Sequence, residues 1–264
     1  MLSPTRKPVG RFIAKPLLGH PLAANCLAFW PANEGGGNAQ DMMRKNRIQT
    51  GRSTWAQRAP YGMTVSGGGP TMATSVDLDF TSGAWTVWAA VRQILAIPDD
   101  TYPTILGHYN YVSALDAQGW LLRIWPPNHA IFPNQYLFER WRNDPGVQDC
   151  NSTTTGAVSN YRTVAGASDG STISRLFING AQEKTSALNE NPLAQSTSGI
   201  QLASGTYFQL YAAGCWNREL SAAELLVLHA RPYEFVDWWQ PKAISYSFVQ
   251  TGKPWHYYAQ QMSA

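Results

Sequence analysis

The acidic residues whose spacing best fits catalysis are Asp77 and Asp79, two positions apart in Val-Asp-Leu-Asp-Phe. On a strand such residues point to the same face of the sheet. Retaining glycoside hydrolases need two carboxyl groups about 5.5 Å apart, which is the chemistry this spacing would serve. The chain, however, contains neither Glu-x-Asp-x-x-Glu nor Glu-x-x-Glu. A glycan-cleaving enzyme is therefore the least favoured of three functional hypotheses.

Other residues that hold metals or act as nucleophiles are scattered along the chain. The three cysteines, Cys26, Cys150 and Cys215, are an odd number, and their spacing fits neither a disulfide framework nor a zinc site. We expect reduced thiols in a protein made in the cytosol. No serine occupies a Gly-x-Ser-x-Gly elbow. No two histidines have metal-ligand spacing, since they stand at positions 20, 108, 129, 229 and 256. The sequence predicts no catalytic residue, no metal and no cofactor.

Eleven tryptophans provide binding surface instead, because aromatic rings stack on sugars and fill pockets at protein interfaces. Trp30, Trp85 and Trp216 lie within predicted strands, and we expect them in the core. Trp125 and Trp141 border predicted loops and are the candidate glycan-contact residues. Further tryptophans available for contacts stand in the C-terminal tail, at Trp238, Trp239 and Trp255.

The composition favours a β-protein with many turns. Of 264 residues, 44% are hydrophobic and only 14% are charged, and 22 glycines and 17 prolines interrupt the chain too often for long helices. A net charge of +3 is too small to predict nucleic-acid binding, which needs clustered Lys and Arg. No apolar run approaches the roughly 18 residues that span a bilayer. We therefore expect neither a nucleic acid nor a membrane as partner.

Short segments rich in β-branched and aromatic residues, separated by turns, predict a β-sandwich or a β-barrel. Asn179-Gly180 predicts a two-residue hairpin turn, because both residues accept positive φ. Longer irregular loops are predicted at 99–103, 126–134 and 143–156. The expected strands span residues 26–30, 47–50, 63–66, 75–79, 85–92, 104–108, 120–125, 136–142, 162–167, 174–178, 200–202 and 207–216.

Two further sequence patterns predict which side chains pack in the core. In residues 85–91, one alternating face carries Trp85, Val87, Ala89 and Val91 and the other Thr86, Trp88 and Ala90, which predicts a central strand or one whose outer face is covered. The only predicted helix covers 221–229, where Ser221 and Glu224 form a capping box. We expect its inward side to contain Leu220, Leu225 and Leu228.

Residues 22–235 resemble the concanavalin A-like and laminin G-like family. The resemblance implies an all-β jelly-roll sandwich of two antiparallel sheets with one short C-terminal helix and extended terminal arms. The ending His229-Ala-Arg-Pro-Tyr-Glu-Phe235 is similar to members encoded by tailed bacteriophages. Four stretches carry the resemblance, the last most specifically: Leu27-Ala-Phe-Trp-Pro-Ala-Asn-Glu-Gly-Gly-Gly-Asn38, Leu78-Asp-Phe-Thr-Ser-Gly-Ala-Trp-Thr-Val-Trp88, Leu176-Phe-Ile-Asn-Gly180 and Tyr211-Ala-Ala-Gly-Cys-Trp-Asn-Arg-Glu-Leu-Ser-Ala-Ala-Glu224.

The chain departs from this family after Asn38. Family members often continue with an Asp and a turn rich in Gly and Asn, whereas here Asp41 leads into Met42-Met-Arg-Lys-Asn-Arg47. Calcium takes several oxygen ligands, and Arg44, Lys45 and Arg47 add positive charge where a cation would lie. The sequence therefore disfavours calcium.

Two terminal segments flank the predicted domain at 23–237. Residues 1–22 form a basic, proline-rich arm that follows an extended path, and the alternative is a disordered leader without a role. Residues 238–264 form an aromatic tail that either covers its own sandwich or adds a strand to a neighbour's sheet. The docking residues predicted in the arm are Arg6, Lys7, Arg11, Phe12 and Lys15, and those in the tail are Trp238, Trp239, Tyr246, Phe248, Trp255 and Tyr257.

The favoured hypothesis is a non-enzymatic virion protein of a tailed bacteriophage, made in the host cytoplasm. It would decorate the capsid, or belong to a head or tail fibre, through contacts of both termini with the major capsid protein or other virion proteins. A homo-oligomer or symmetric array is expected. The alternative is a lectin-like module that binds host surface glycans.

Overall fold

The computed structural model describes residues 13–32, 41–43, 53–55, 63–65, 76–110, 118–141, 148–170, 172–187, 199–203 and 207–239. The strand predicted at 47–50 and the strand predicted in the tail near Tyr246 lie outside the described residues. Within the described parts, no helix is long and apolar enough to cross a membrane.

The described chain is an all-β sandwich of the jelly-roll kind with one short α-helix. Two single 3₁₀ turns, Pro21–Ala23 and Val76–Leu78, precede strands. The helix α1 spans Ala222–Ala230. The strands are β1 Ile13–Pro16, β2 Cys26–Trp30, β3 Ser53–Trp55, β4 Met63–Val65, β5 Trp85–Gln93, β6 Thr104–Asn110, β7 Gln118–Ile124, β8 Gln135–Trp141, β9 Gln148–Thr155, β10 Tyr161–Ser168, β11 Ile173–Ile178, β12 Ala181–Ala187, β13 Gln201–Leu202, β14 Phe208–Trp216 and β15 Val236–Trp239.

Two antiparallel sheets form the sandwich. The larger has the order β12-β11-β10-β5-β14-β4-β3, and β2 also pairs with β14. The smaller has the order β13-β6-β7-β8-β9. Strand β5 lies between β10 and β14, which confirms the prediction of a central strand. A separate two-stranded sheet joins β1 to β15.

Two hydrophobic cores follow from the two faces of β5. Trp85, Val87, Ala89 and Val91 pack between the sheets with side chains of β7 and β8. On the opposite face of the larger sheet, Trp88 and Ala90 pack beneath α1 and the chain that follows it. The alternation predicted for this strand is thus confirmed, and both of its faces are covered. The three tryptophans predicted for the core, Trp30, Trp85 and Trp216, are fully buried.

Two predictions about individual segments are wrong. In the strand predicted at 75–79, the described residues 76–79 do not form a strand, because the chain turns at Val76–Leu78, where the Leu78 carbonyl accepts a 2.7 Å hydrogen bond from Trp120 Nε1. Within the loop predicted at 143–156, the described residues 148–155 form a strand instead, since β9 pairs with β8 along the edge of the smaller sheet. This edge strand is rich in Ser, Thr and Asn, and its composition concealed the strand.

The predicted hairpin is confirmed, and its turn is fixed by backbone conformation. Asn179 and Gly180 have φ values of 55° and 80°, the left-handed pair that a two-residue turn between twisted strands requires. A Cβ at Gly180 would lie 2.7 Å from Leu226 Cα. The hairpin therefore needs glycine at this position both for its turn and for its contact with α1.

The predicted helix begins with the expected capping box. The Ser221 hydroxyl accepts the Glu224 N–H, and the Glu224 carboxylate accepts the Ser221 N–H. Arg218 donates to both Glu224 carboxylate oxygens, at 2.7 and 3.0 Å. Burial alone would raise the pKa of the Glu224 carboxyl, but the hydrogen bonds from Arg218 and Ser221 outweigh it and lower the pKa below its ordinary value. Leu220, Leu225 and Leu228 are buried as predicted.

We expect Glu224→Gln to lower the free energy of unfolding at pH 7 by about 1 kcal/mol, because Gln can keep the capping box but loses the charged acceptor of the two Arg218 hydrogen bonds. Because the folded-state pKa of Glu224 is depressed, its stabilisation is present above the unfolded value of 4.5 and is lost as the pH falls through the folded value. Urea unfolding should therefore show a smaller difference between wild type and variant at pH 3 than at pH 7.

The matched control is Glu234→Gln, which removes an exposed carboxylate 3.2 Å from Arg231. Exposed ion pairs of this kind contribute little to stability, so this variant should unfold like the wild type at both pH values. An equal loss for Glu224→Gln at pH 7 and pH 3 would contradict the electrostatic account of the cap.

Candidate functional site

The outer face of the smaller sheet carries an aromatic and charged cluster. Along β7, Trp120, Leu122 and Ile124 enter the core between the sheets, so Arg123 points outward. The same alternation turns Glu139 and Trp141 of β8 outward. We call Tyr102, Arg123, Trp125, Glu139 and Trp141 the Arg123 face.

The Arg123 guanidinium is the centre of this cluster. Its Cζ lies 4.7 Å from the ring centroid of Trp125, 5.3 Å from that of Tyr102 and 5.9 Å from that of Trp141. Arg123 also donates from Nη2 to Glu139 Oε1 at 2.5 Å. Cation–π contacts and a charge-assisted hydrogen bond therefore hold the guanidinium in one position.

The Trp125 ring is held from several sides. Its Nε1 donates to Asn151 Oδ1 of β9 at 2.5 Å, and the His129 ring stacks on it with 4.1 Å between centroids. His129 Nδ1 accepts the backbone N–H of Phe132 at 3.0 Å, which fixes the imidazole within its loop. Trp125 is half-buried, so part of the ring remains open to a ligand.

Two loops form the rim of the Arg123 face. Asn128 Nδ2 donates to Asp100 Oδ1 at 2.9 Å, and Asn128 Oδ1 accepts the Asp100 N–H at 3.2 Å. These reciprocal bonds join the 94–103 loop to the 125–134 loop. Tyr102, between them, is 46% exposed and meets Trp125 edge to face at 5.8 Å. The rim therefore presents an accessible aromatic ring on a fixed support.

The structure brings together the two tryptophans predicted to contact glycans, but it places them differently. Trp125 borders the open rim, whereas Trp141 is only 4% exposed and packs edge to face on Tyr109 at 5.1 Å. Trp141 therefore packs beneath the exposed side chains of the cluster. Its role in glycan contact stays a prediction. Arg123 and Tyr102 were missed, although the alternation of β7 would have placed Arg123 outward.

The carboxylates considered for catalysis do not form an open pair. Asp79 is buried, and its Oδ1 lies 3.3 Å from Nδ1 of the fully buried His108. Because the chain turns at Val76–Leu78, Asp77 and Asp79 do not share one face of a strand. The geometry required of a glycosidase carboxylate pair is thus not provided at these positions.

The three cysteines and Asp41 are buried and are not placed for chemistry at the surface. All three cysteines are buried thiols. Burial, followed by the nearby Asp41 carboxylate, raises the pKa of Cys26 well above its ordinary value, which disfavours a thiolate nucleophile. Asp41 Oδ1 accepts the N–H groups of Phe29 and Met43, both at 2.9 Å. Among the residues with described positions, no three His, Cys, Asp or Glu side chains are grouped to hold a metal ion.

The predicted docking segments are described only where they join the sandwich. Ile13 of β1 pairs with Trp239 of β15, and Lys15 pairs with Asp237. Lys15 is exposed, while the side chains of Trp238 and Trp239 are outside the description. The other predicted docking residues lie outside the described residues altogether: Arg6, Lys7, Arg11, Phe12, Tyr246, Phe248, Trp255 and Tyr257.

A second surface lies beside α1. A cavity of about 570 Å³ separates the helix from the chain at 20–22. Leu226 and Val227 on its wall are 56% and 39% exposed, and Glu224, Arg231 and Glu234 contribute charged groups. This surface lacks the convergence of aromatic rings on a fixed cation that distinguishes the Arg123 face.

Comparison with known proteins shows the fold of the chain. The binding domain of Paraclostridial Mosquitocidal Protein 1 superposes with a TM-score of 0.61 at 12% identity, over 79% of this chain and 52% of that chain. Botulinum neurotoxin type C, whose cell entry depends on interaction with two ganglioside molecules, superposes with a TM-score of 0.58 at 12% identity, over 79% and 51%. At these identities the likeness is one of fold alone.

A Trypanosoma rangeli sialidase, solved with 2,3-difluorosialic acid as a covalent intermediate, superposes with a TM-score of 0.57 at 13% identity. The match covers 78% of this chain and 33% of the sialidase chain. The chain thus spans about half the length of the toxin binding domains and a third of the sialidase. No protein-family model and no curated protein matches the sequence.

Proposed function

We propose that this protein is a non-catalytic glycan-binding module and that the Arg123 face is its binding site. The observation that carries the proposal is the convergence of Tyr102 and Trp125 on one fixed guanidinium at an open rim. Ligand sites combine apolar and aromatic surface with a small number of fixed polar groups, and this face has both.

Each part of the face has a role in sugar recognition. The exposed Tyr102 ring and the open part of Trp125 provide apolar surface for the C–H face of a pyranose. Arg123 offers N–H donors to the hydroxyl groups of the sugar, while Glu139 and the aromatic side chains hold the guanidinium in place. Because these groups are already positioned, binding orders few side chains and loses little conformational entropy.

The solved structures of similar fold support this proposal over catalysis. One of those named above is a toxin's binding domain, and the cell entry of another toxin depends on interaction with two ganglioside molecules. The sialidase acts on a sugar, but the described residues here offer no paired catalytic carboxylates at the positions predicted for them. Sandwich folds carry many functions, so the proposal depends on the Arg123 face and not on the fold.

The test is binding of the purified protein to an array of neutral and acidic oligosaccharides, followed by calorimetry on the best ligand. Tyr102→Ala should weaken binding by at least tenfold, which corresponds to about 1.4 kcal/mol, because it removes the most accessible ring of the site. The circular dichroism spectrum should not change, since Tyr102 is 46% exposed.

Leu226→Ala is the matched control for this experiment. Leu226 lies on α1, which packs on the larger sheet, and is 56% exposed, so its truncation removes a similar exposed apolar group outside the Arg123 face. It should leave the affinity unchanged. Equal losses for the two variants, or unchanged binding in Tyr102→Ala, would place the ligand elsewhere.

We also retain the virion role as a second proposal, because one observation favours anchoring through both termini. Ile13 and Trp239 are register partners in the sheet formed by β1 and β15, so the predicted arm and tail leave the sandwich at one place. A decoration or fibre protein attached there would leave the Arg123 face available for host glycans. Its absence from phage particles purified on a density gradient would end this proposal.

A further inference from the structure

We infer that the Arg123 face selects uncharged sugars and discriminates against glycans that carry carboxylates. The inference rests on the proposed glycan-binding function and adds the chemical class of the ligand. It follows from the charges that surround the aromatic rings.

The positive charge at the centre of the face is already neutralised. Glu139 accepts from Arg123 at 2.5 Å, and the Glu139 side chain is only 1% exposed. A buried carboxylate at this distance cannot turn away into solvent to release the guanidinium to another anion. A ligand carboxylate would have to compete with Glu139 and would leave it buried beside a second negative charge.

The rim adds further negative charge. Asp99 and Asp100 are exposed on the loop that leads into Tyr102. Asp100 is held by its two hydrogen bonds with Asn128, and the adjacent His129 stacks on Trp125. The Asp100 carboxylate is therefore fixed two residues before Tyr102 on the same loop, and physiological salt screens exposed charges only beyond about 8 Å.

Neither of the two described rim loops, 94–103 and 125–134, contains a Lys or Arg that would balance the two aspartates. With Arg123 matched by Glu139, the face as a whole is negative. A neutral pyranose carries no charge, so the negative potential does not weaken its binding. The carboxylate of a uronic or sialic acid is repelled by this potential.

The test compares each neutral oligosaccharide that binds on the array with its carboxylated counterpart, for example galactose oligomers with galacturonic acid oligomers. We expect the acidic ligand to bind at least tenfold more weakly at low ionic strength. This difference in affinity between the neutral and the acidic ligand, called the gap below, should narrow as salt is added, because screening weakens repulsion between exposed charges.

The double variant Asp99→Asn, Asp100→Asn should reduce the gap at least threefold, where the gap is the ratio of the neutral and acidic affinities measured on the same variant. Asn at position 100 keeps an oxygen that accepts from Asn128, so the loops stay joined. The control is Asp237→Asn, an exposed acid on β15, which should leave the gap as in wild type.

The outcomes separate this inference from the function on which it rests. Preferential binding of acidic ligands that is lost in Tyr102→Ala would retain the site and overturn the inference. A gap unchanged in the double variant would also overturn it. Failure to bind any sugar would overturn both the inference and the proposed function.

Discussion

Gly166→Val should lower the free energy of unfolding by about 3 kcal/mol, the upper end of the usual range for overpacked cores. Gly166 lies in β10 opposite the ring of Phe138 in the other sheet, and a Cβ there would meet three ring carbons at 2.3–2.6 Å. Phe138 cannot retreat, because it packs against Trp85 with 5.4 Å between ring centroids. The two sheets would have to separate to accept a side chain.

Urea unfolding followed by tryptophan fluorescence measures this loss. Gly19→Ala is the control, since a Cβ at Gly19 meets no atom within 4 Å, and it should unfold like the wild type. Gly166→Ala should lie between wild type and Gly166→Val. Phe138→Leu combined with Gly166→Ala should be less destabilised than the sum of the single variants, because the smaller side chain relieves the clash. Strict additivity would show that the ring is not the obstacle.

Trp216→Ala should lower the free energy of unfolding by about 5 kcal/mol. Removing a fully buried tryptophan leaves a cavity that costs about 3–5 kcal/mol, and the ring here packs against Phe29 and Phe235. The substitution also removes the 2.7 Å hydrogen bond from Trp216 Nε1 to the Leu22 carbonyl. A buried carbonyl left without its donor adds a further loss of about 1–3 kcal/mol.

Trp216→Phe separates the two contributions. It retains most of the apolar volume but not the N–H donor, so it should lose about 2 kcal/mol in the same urea experiment. It should also loosen the chain before β2, and hydrogen exchange of the Leu22 region should become faster than in wild type. If Trp216→Phe were as stable as wild type, the bond to Leu22 would not hold this segment.

Local signals in the sequence predicted several elements because neighbouring residues alone decide them. The Asn179-Gly180 turn and the Ser221–Glu224 capping box depend on backbone conformation and on side chains three residues apart. The alternation of β5 revealed both covered faces for the same reason. Strand β9 was missed because its composition resembles a loop, and only pairing with β8 makes it a strand.

The candidate site was predicted only in part. Loop position marked Trp125 and Trp141, but their relation to Arg123 depends on which strands are neighbours. Tyr102 reaches the same guanidinium from a different loop. A sequence without pairing information cannot bring together residues 102, 123 and 141, because strand order and register decide those distances.

Composition and short-range patterns by themselves determined that this chain is an all-β sandwich or barrel with one capped helix and a tryptophan-rich core. These properties depend on period-two alternation, turn residues and capping, which act over a few positions. Only the tertiary structure decided that Trp141 is buried, that Asp79 pairs with His108 and that Arg123 is the centre of the site. Such contacts join distant parts of the chain, and the packing of two sheets selects them among many that the sequence alone would allow.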